Sequence, residues 1–176
     1  PFVLIIGSGQ AGLCLGARLK LLGVPYVVVE KHPRVGDSWR TRYPGLLLHD
    51  PVWFDHMPYL PFPESWPIFT PRDKIADWLE FYAKALDLDV SISTRVACAV
   101  PPEDGHGDTR WSVRLERDGH KDTELRPSHV VFATGMSGYP RVPKPPGEFH
   151  GECMHSSAYP GAAKGRFAGQ RAVVVG

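Results

Sequence analysis

Asparagine is missing from all 176 residues, so no N-glycosylation acceptor exists anywhere in this chain. Cysteine is scarce: Cys14, Cys98 and Cys153 are odd in number and far apart. That pattern argues against a disulfide framework and makes a reducing, cytoplasmic location the expectation. No apolar stretch approaches the roughly 20 residues of a spanning helix, and no signal peptide is visible, so no membrane segment is expected in this fragment. Neither sign of charge dominates, with 20 basic and 19 acidic side chains interspersed and a formal net charge of +1. No nucleic-acid or anionic-lipid surface is advertised, which leaves a small molecule as the expected partner. The length suits a single domain with a real core. The chain opens on Pro1 and closes on Val173-Val174-Val175-Gly176, an apolar run meeting a glycine. It reads as a piece of a longer protein, cut where a second strand–glycine-loop–helix unit begins.

What is present is concentrated in residues 2–30. Phe2-Val3-Leu4-Ile5-Ile6 reads as a buried strand, and Gly7-Ser8-Gly9-Gln10-Ala11-Gly12 is a complete G-x-G-x-x-G. A helical stretch follows with Gly12, Leu15, Leu19 and Leu22 on one face, ended by Gly23. Residues 25–29 form a second buried strand with Glu30 at its edge. Each part has a task in holding a dinucleotide. Gly7 allows the tight turn, Gly9 leaves room for a pyrophosphate, and Gly12 lets the helix pack closely. The helix N-terminus, beginning at Gln10 and Ala11, turns unpaired amides and a positive dipole end toward phosphate. Glu30, followed by Lys31, can accept from ribose hydroxyls and would repel a 2′-phosphate. FAD or NAD is expected here rather than NADP.

Residues 31–67 change character, crowded with prolines and with Trp39, Tyr43, Trp53, Phe54, Tyr59, Phe62 and Trp66. Prolines forbid long regular elements, so an ordered loop layer held by its rings is expected. A helix then starts with Thr70 as N-cap, Pro71 at the first position and Asp73 in the first turn. Its buried face is Ile75, Trp78, Leu79, Tyr82 and Leu86. Short strands over 95–100, 111–116 and 123–125 make an antiparallel β-meander, with an Asp118-Gly119 hairpin turn and a looser connection over 103–107. His129-Val130-Val131-Phe132 reads as a buried strand leading into Ala133-Thr134-Gly135, then a proline-rich exit over 138–147.

This order resembles the two-dinucleotide-domain flavoproteins, and within them the class B flavin monooxygenases: flavin-containing monooxygenases, YUCCA-type enzymes and Baeyer–Villiger monooxygenases. Four stretches carry the resemblance: the glycine loop with Glu30, the Val35-Gly36-Asp37-Ser38-Trp39 turn, Ala133-Thr134-Gly135, and a fingerprint. The second is similar to the family's G-G-x-W, with Asp37 in place of its second glycine. The fingerprint is Phe149-x-Gly151-x-x-x-His155-x-x-x-Tyr159-Pro160, matching F-x-G-x-x-x-H-x-x-x-[aromatic] at every fixed position. Leu46-Leu47-Leu48-His49-Asp50-Pro51 is similar to the YUCCA-type L-x-L-H stretch, whereas Arg42-Tyr43-Pro44-Gly45 resembles the Baeyer–Villiger N-R-Y-P-G. Tyr159, where Baeyer–Villiger enzymes carry Trp, sets the chain nearer the YUCCA side.

The resemblance implies an α/β fold: a Rossmann-type FAD-binding domain with a parallel sheet plus antiparallel meander. It implies a FAD domain over 1–148, a linker over 149–170 and the start of an NAD(P)H domain over 171–176. It implies a monooxygenase in which NADPH reduces FAD and a flavin C4a-(hydro)peroxide passes one oxygen to a small organic substrate. Cofactor contacts are implied for Gly7, Gly9, Gln10, Ala11, Gly12, Glu30, Lys31, Trp39, His49, Val96, Ala133, Thr134 and Gly135. His49, Asp50 and His155 are candidates for catalysis, and His155 is expected to affect coupling of NADPH oxidation to oxygenation. The fragment alone is expected to be inactive.

Other readings of the same residues are narrower. His150, Cys153 and His155 could offer three zinc ligands, without a second cluster to complete a site. Disulfide reductases of this fold carry a cysteine pair where this chain has Trp39-Arg40-Thr41-Arg42, so dithiol chemistry is not expected in this domain. A pyridine-nucleotide reductase of the thioredoxin or ferredoxin-reductase kind, with its chemistry outside this fragment, stays open. So does a non-catalytic flavin- or NAD-binding module.

Overall fold

A computed structural model describes residues 1–102, 109–117, 119–136, 138–162 and 165–175. The loose 103–107 connection, Asp118 of the hairpin turn and the terminal Gly176 lie outside the described residues. The first unit follows its pattern, except that Phe2 is exposed and outside the strand: β1 (Val3–Ile6), α1 (Gln10–Leu21) and β2 (Tyr26–Val29). α2 (Asp37–Arg40) and α3 (Arg72–Ala85) follow, then β3 (Val90–Ser91), β4 (Thr94–Val100), β5 (Ser112–Arg117), β6 (Thr123–Leu125) and β7 (His129–Phe132). β3, β2, β1 and β7 form a parallel sheet in that order, and β4, β5 and β6 form the antiparallel meander.

Alternation along β1 explains the layers. Val3 and Ile5 share a core with Tyr26 and Val28 and with Leu15 and Leu19 of α1. Leu4 points the other way, into a core with Val29, Val113 and Leu115 of the meander. A strand covered on both faces must be apolar at every position, which is why residues 3–6 show no polar alternation. A third core joins Leu13 and Ala17 of α1 to Ile75, Leu79 and Tyr82 of α3. Val52, Met57 and Phe62 of the proline-rich layer also enter it. The rings of that layer interlock as expected. Phe62 stacks on Trp66 at 4.9 Å, and Trp78 of α3 lies 5.3 Å from Phe62.

Several expectations need correction. Thr70 does not cap α3: its Oγ1 donates to the Pro67 carbonyl, and Pro71 occupies the cap with extended backbone. α1 buries Gly12, Leu13, Gly16 and Ala17, while Leu22 is exposed, because it packs against α3 as well as the sheet. β7 is half-buried with Phe132 exposed, since it forms the outer strand of the sheet among the described residues. Residues 171–175 form no strand, and Val174 is 91% exposed, with no strand pairing among the described residues. α2 and β3 were not legible in the sequence; four and two residues are too short to show a period.

Candidate functional site

The register of the parallel sheet assembles the site. Ile6 is level with Val29 on one side and with Phe132 on the other. The next residues, Gly7, Glu30 and Ala133, therefore emerge side by side at the carboxyl ends of three strands. Backbone bonds fix them: Gly7 N donates to Val29 O at 2.8 Å, Ala133 N to Ile6 O at 2.9 Å, and Glu30 N to Ser91 O at 2.9 Å. β2 lies on one side of β1 and β7 on the other, so strand order reverses here. In open α/β sheets that crevice is where ligands bind.

The glycines divide into two kinds. A Cβ on Gly7 (φ +107°) would stand 2.5 Å from the Ala133 carbonyl oxygen, and a Cβ on Gly12 only 1.9 Å from that of Gly7. Both glycines are demanded by packing of the protein on itself. A Cβ on Gly9 would meet nothing within 4 Å, so its missing side chain leaves open space. Gly9 is also the N-cap of α1, with no side-chain cap and no acid in the first turn. Helix-terminal amides lack intrahelical partners, so the site offers a clear approach to an uncapped, positively polarised helix end.

Glu30 is buried at 8% exposure. Its Oε2 accepts from Ser8 N at 3.0 Å and Ser8 Oγ at 2.8 Å, and its Oε1 accepts from His32 N at 2.9 Å. An ionised carboxylate offers about four acceptor sites, so Oε1 can take a further donor such as a ribose hydroxyl. Open space at Gly9, an uncapped helix end and an acid with spare capacity together fit a dinucleotide. Ser8 is the participant that sequence reasoning missed; a hydroxyl inside the glycine loop, facing the acid, was the available signal.

The remaining expected residues divide between the crevice edge and other parts of the fold. Gln10 is half-buried at the helix start, and Ala11 and Lys31 are exposed. Thr134 and Gly135 are exposed beyond β7, and Val96 is half-buried in the meander core. Trp39 is half-buried against the α1–α3 core, with the Arg42 guanidinium 3.9 Å above its ring. His49 and Asp50 pair on the surface at 3.3 Å, with side chains 94% and 60% exposed. Nearby Asp55 is pushed up by burial and then by the Asp50 charge, and its Oδ2 is buried without a partner. His155 is occupied locally: Nδ1 accepts from Ser157 N at 3.1 Å and caps the turn Ser156–Ala158. The fingerprint's Tyr159 meets the Tyr43 ring at 5.2 Å, and Gly161 lies against the Pro44 carbonyl.

All three cysteines are free, and burial pushes the Cys14 thiol up, away from reactivity. No group of three or more His, Cys, Asp or Glu suited to a metal occurs among the described residues, nor any helix long and apolar enough to cross a membrane.

The structure is similar to a flavin-containing monooxygenase from Stenotrophomonas maltophilia, with TM-score 0.69 and 27% identity over 81% of this chain and 40% of that one. It is also similar to OTEMO in complex with FAD and NADP, with TM-score 0.69 and 26% identity over 96% of this chain and 33% of that one. In sequence it is 37% identical to indole-3-pyruvate monooxygenase YUCCA1 of Oryza sativa subsp. japonica, covering all of this chain and 42% of the relative. The chain thus spans about two fifths of the curated relatives it matches. The pyridine nucleotide-disulphide oxidoreductase profile matches residues 4–176. With this fold, this crevice and a profile match across nearly its whole length, the chain belongs to the pyridine nucleotide-disulphide oxidoreductase family, and within it is similar to the N-terminal portions of flavin monooxygenases.

Proposed function

We propose that this chain is the FAD-binding portion of an FAD- and NAD(P)H-dependent monooxygenase that transfers one oxygen atom from O₂ to a small organic substrate. The observation that carries it is the convergence of Gly7, Glu30 and Ala133 at one sheet edge, in a chain that also contains a complete monooxygenase fingerprint. Similarity to monooxygenases over the whole chain supports the same reading.

In this reading the amides of Gln10, Ala11 and Gly12 bind the pyrophosphate, with Gly9 giving it room. Glu30 accepts from the adenosine ribose, and Lys31 and Val96 flank the adenosine. Ala133, Thr134 and Gly135 border the crevice at β7, and Trp39 and His49 stand toward the flavin. Bound FAD would supply the activation of dioxygen, with NADPH as its reductant. The protein supplies dryness: Met57, Phe62, Trp66 and Trp78 pack into a layer that excludes water from one flank. Residues 1–148 form the FAD domain, 149–170 the linker and 171–176 the start of the NAD(P)H domain. Three free cysteines support a cytoplasmic location, and the balanced charge supports a small-molecule partner rather than nucleic acid.

The test uses the full-length protein, comparing NADPH consumed, isotopically labelled oxygen incorporated into product and hydrogen peroxide released. Label in product supports the monooxygenase. NADPH-driven reduction of a partner without label would make it a reductase, and FAD that NADPH cannot reduce would make it a binding module.

A further inference from the structure

α2 has only four residues, too few for a helix to persist by its own hydrogen bonds. Something outside it must fix the turn that presents Trp39. Gly36, immediately before α2, has φ +88°, and a Cβ there would lie 2.3 Å from the Ala76 carbonyl oxygen of α3. The turn is therefore pressed against α3 at its start. Arg40 closes it at its end. Nη1 donates to Val35 O at 2.9 Å and to Asp37 Oδ1 at 2.9 Å, folding the turn on itself. Nη2 donates to Asp77 Oδ1 at 2.7 Å and to Glu80 Oε2 at 3.0 Å, one helical turn apart on α3. The Arg40 side chain is only 18% exposed, and Arg34 and Lys84 hold Glu80 from its other sides. A planar guanidinium can satisfy four acceptors in one fixed geometry, which a lysine cannot. Asp37 stands where the family pattern has glycine, so this chain gives the fork an acceptor that the pattern lacks.

We infer that Arg40 is a positioning residue: it locks the Gly36–Trp39 turn to α3 and thereby fixes the indole of Trp39 at the flavin. The inference rests on the site reading above, in which Trp39 borders the flavin. Arg40 touches neither cofactor nor substrate and acts only through Trp39. The turn's own bonds, such as Trp39 N to Gly36 O at 2.9 Å and Thr41 N to Asp37 O at 3.0 Å, are all local; they shape it but do not tie it to α3, so core packing alone would leave the indole free to tilt with it.

Bound-flavin fluorescence in the full-length protein separates the two claims, because tryptophan quenches an excited flavin only at close range. Trp39→Phe should brighten bound FAD severalfold. Unchanged emission with FAD retained would mean that Trp39 is not at the flavin, and both the placement and the inference would fall. Given that brightening, Arg40→Met should approach the Trp39→Phe level, and the Trp39→Phe/Arg40→Met double variant should go no further. Arg40→Lys should recover the quenching only in part. Asp77→Asn, at a side chain 72% exposed on α3, guards against misfolding and should give a smaller brightening. Wild-type emission in both Arg40→Met and Asp77→Asn would overturn the inference while leaving the flavin site intact.

Discussion

The Ser8 hydroxyl donates to Glu30 Oε2 across 2.8 Å, with Ser8 N on the same oxygen at 3.0 Å. The glycine loop is thereby tied to the acid that ends β2, and loop and acid form one unit. Glu30→Gln replaces one acceptor oxygen with a donor, facing either Ser8 or His32. Hydrogen bonds to charged groups contribute about 1.5–3 kcal/mol, so the Kd for FAD should rise by about tenfold or more. Titration of the deflavinated full-length protein with FAD measures it.

Gly7→Ala and Gly12→Ala should damage the fold itself. Each puts a Cβ against backbone, at 2.5 Å and 1.9 Å, where no side chain can move aside. Overpacking of this kind costs about 1–3 kcal/mol, and at Gly7 left-handed backbone adds to it. Denaturant unfolding should show lower midpoints for both, in contrast to substitution at Gly9.

Much of this was legible because β1 and β2 bury both faces and the glycine motif has fixed offsets. The strand–loop–helix–strand–acid unit and the meander stand where the pattern put them. Legibility failed where the determinant is long-range. Thr70 has cap chemistry, but its hydroxyl found the Pro67 carbonyl instead. α2 is held by Arg40 reaching α3, 37 and 40 residues along the chain, a partnership that leaves no local period. His155 and Tyr159 were legible only as a motif; that Tyr159 meets Tyr43 follows from the fold.

Acid should loosen the α2–α3 join. Hydrogen bonds from Lys84 and then Arg34 hold the Glu80 carboxyl down at about 2, against an ordinary 4.5. A depressed pKa stabilises the fold above the ordinary value and stops doing so as pH falls through the lowered one. Glu80 should therefore lose its contribution between about pH 4.5 and 2. Partial exposure screens these pairs, so the contribution should be no more than about 1 kcal/mol. Tm followed across that window should fall less steeply in Glu80→Gln than in the wild type.

His155→Ala should spare flavin binding, since the ring caps the turn Ser156–Ala158 and the nucleotide crevice is built from other elements. Losing a cap costs about 1 kcal/mol, felt locally in the segment that seats Tyr159 on Tyr43. Flavin reduction by NADPH should persist, while reducing equivalents pass from product to hydrogen peroxide as the linker seats less well. Product and peroxide measured together against NADPH consumed decide it; wild-type coupling would leave His155 without this role.

The flavin content of Gly9→Val tests the cofactor site most directly. A Cβ at Gly9 meets nothing within 4 Å, and the residue is extended at φ −75°, so valine should be tolerated by the protein and collide only with a ligand. The wild-type full-length protein should purify yellow with non-covalent FAD. Gly9→Val should purify colourless, with an unchanged far-ultraviolet circular dichroism spectrum and Tm within a few degrees of the wild-type apoprotein. A Gly9→Val protein that keeps its full flavin load would show that the crevice beside Gly7, Glu30 and Ala133 is not where FAD binds.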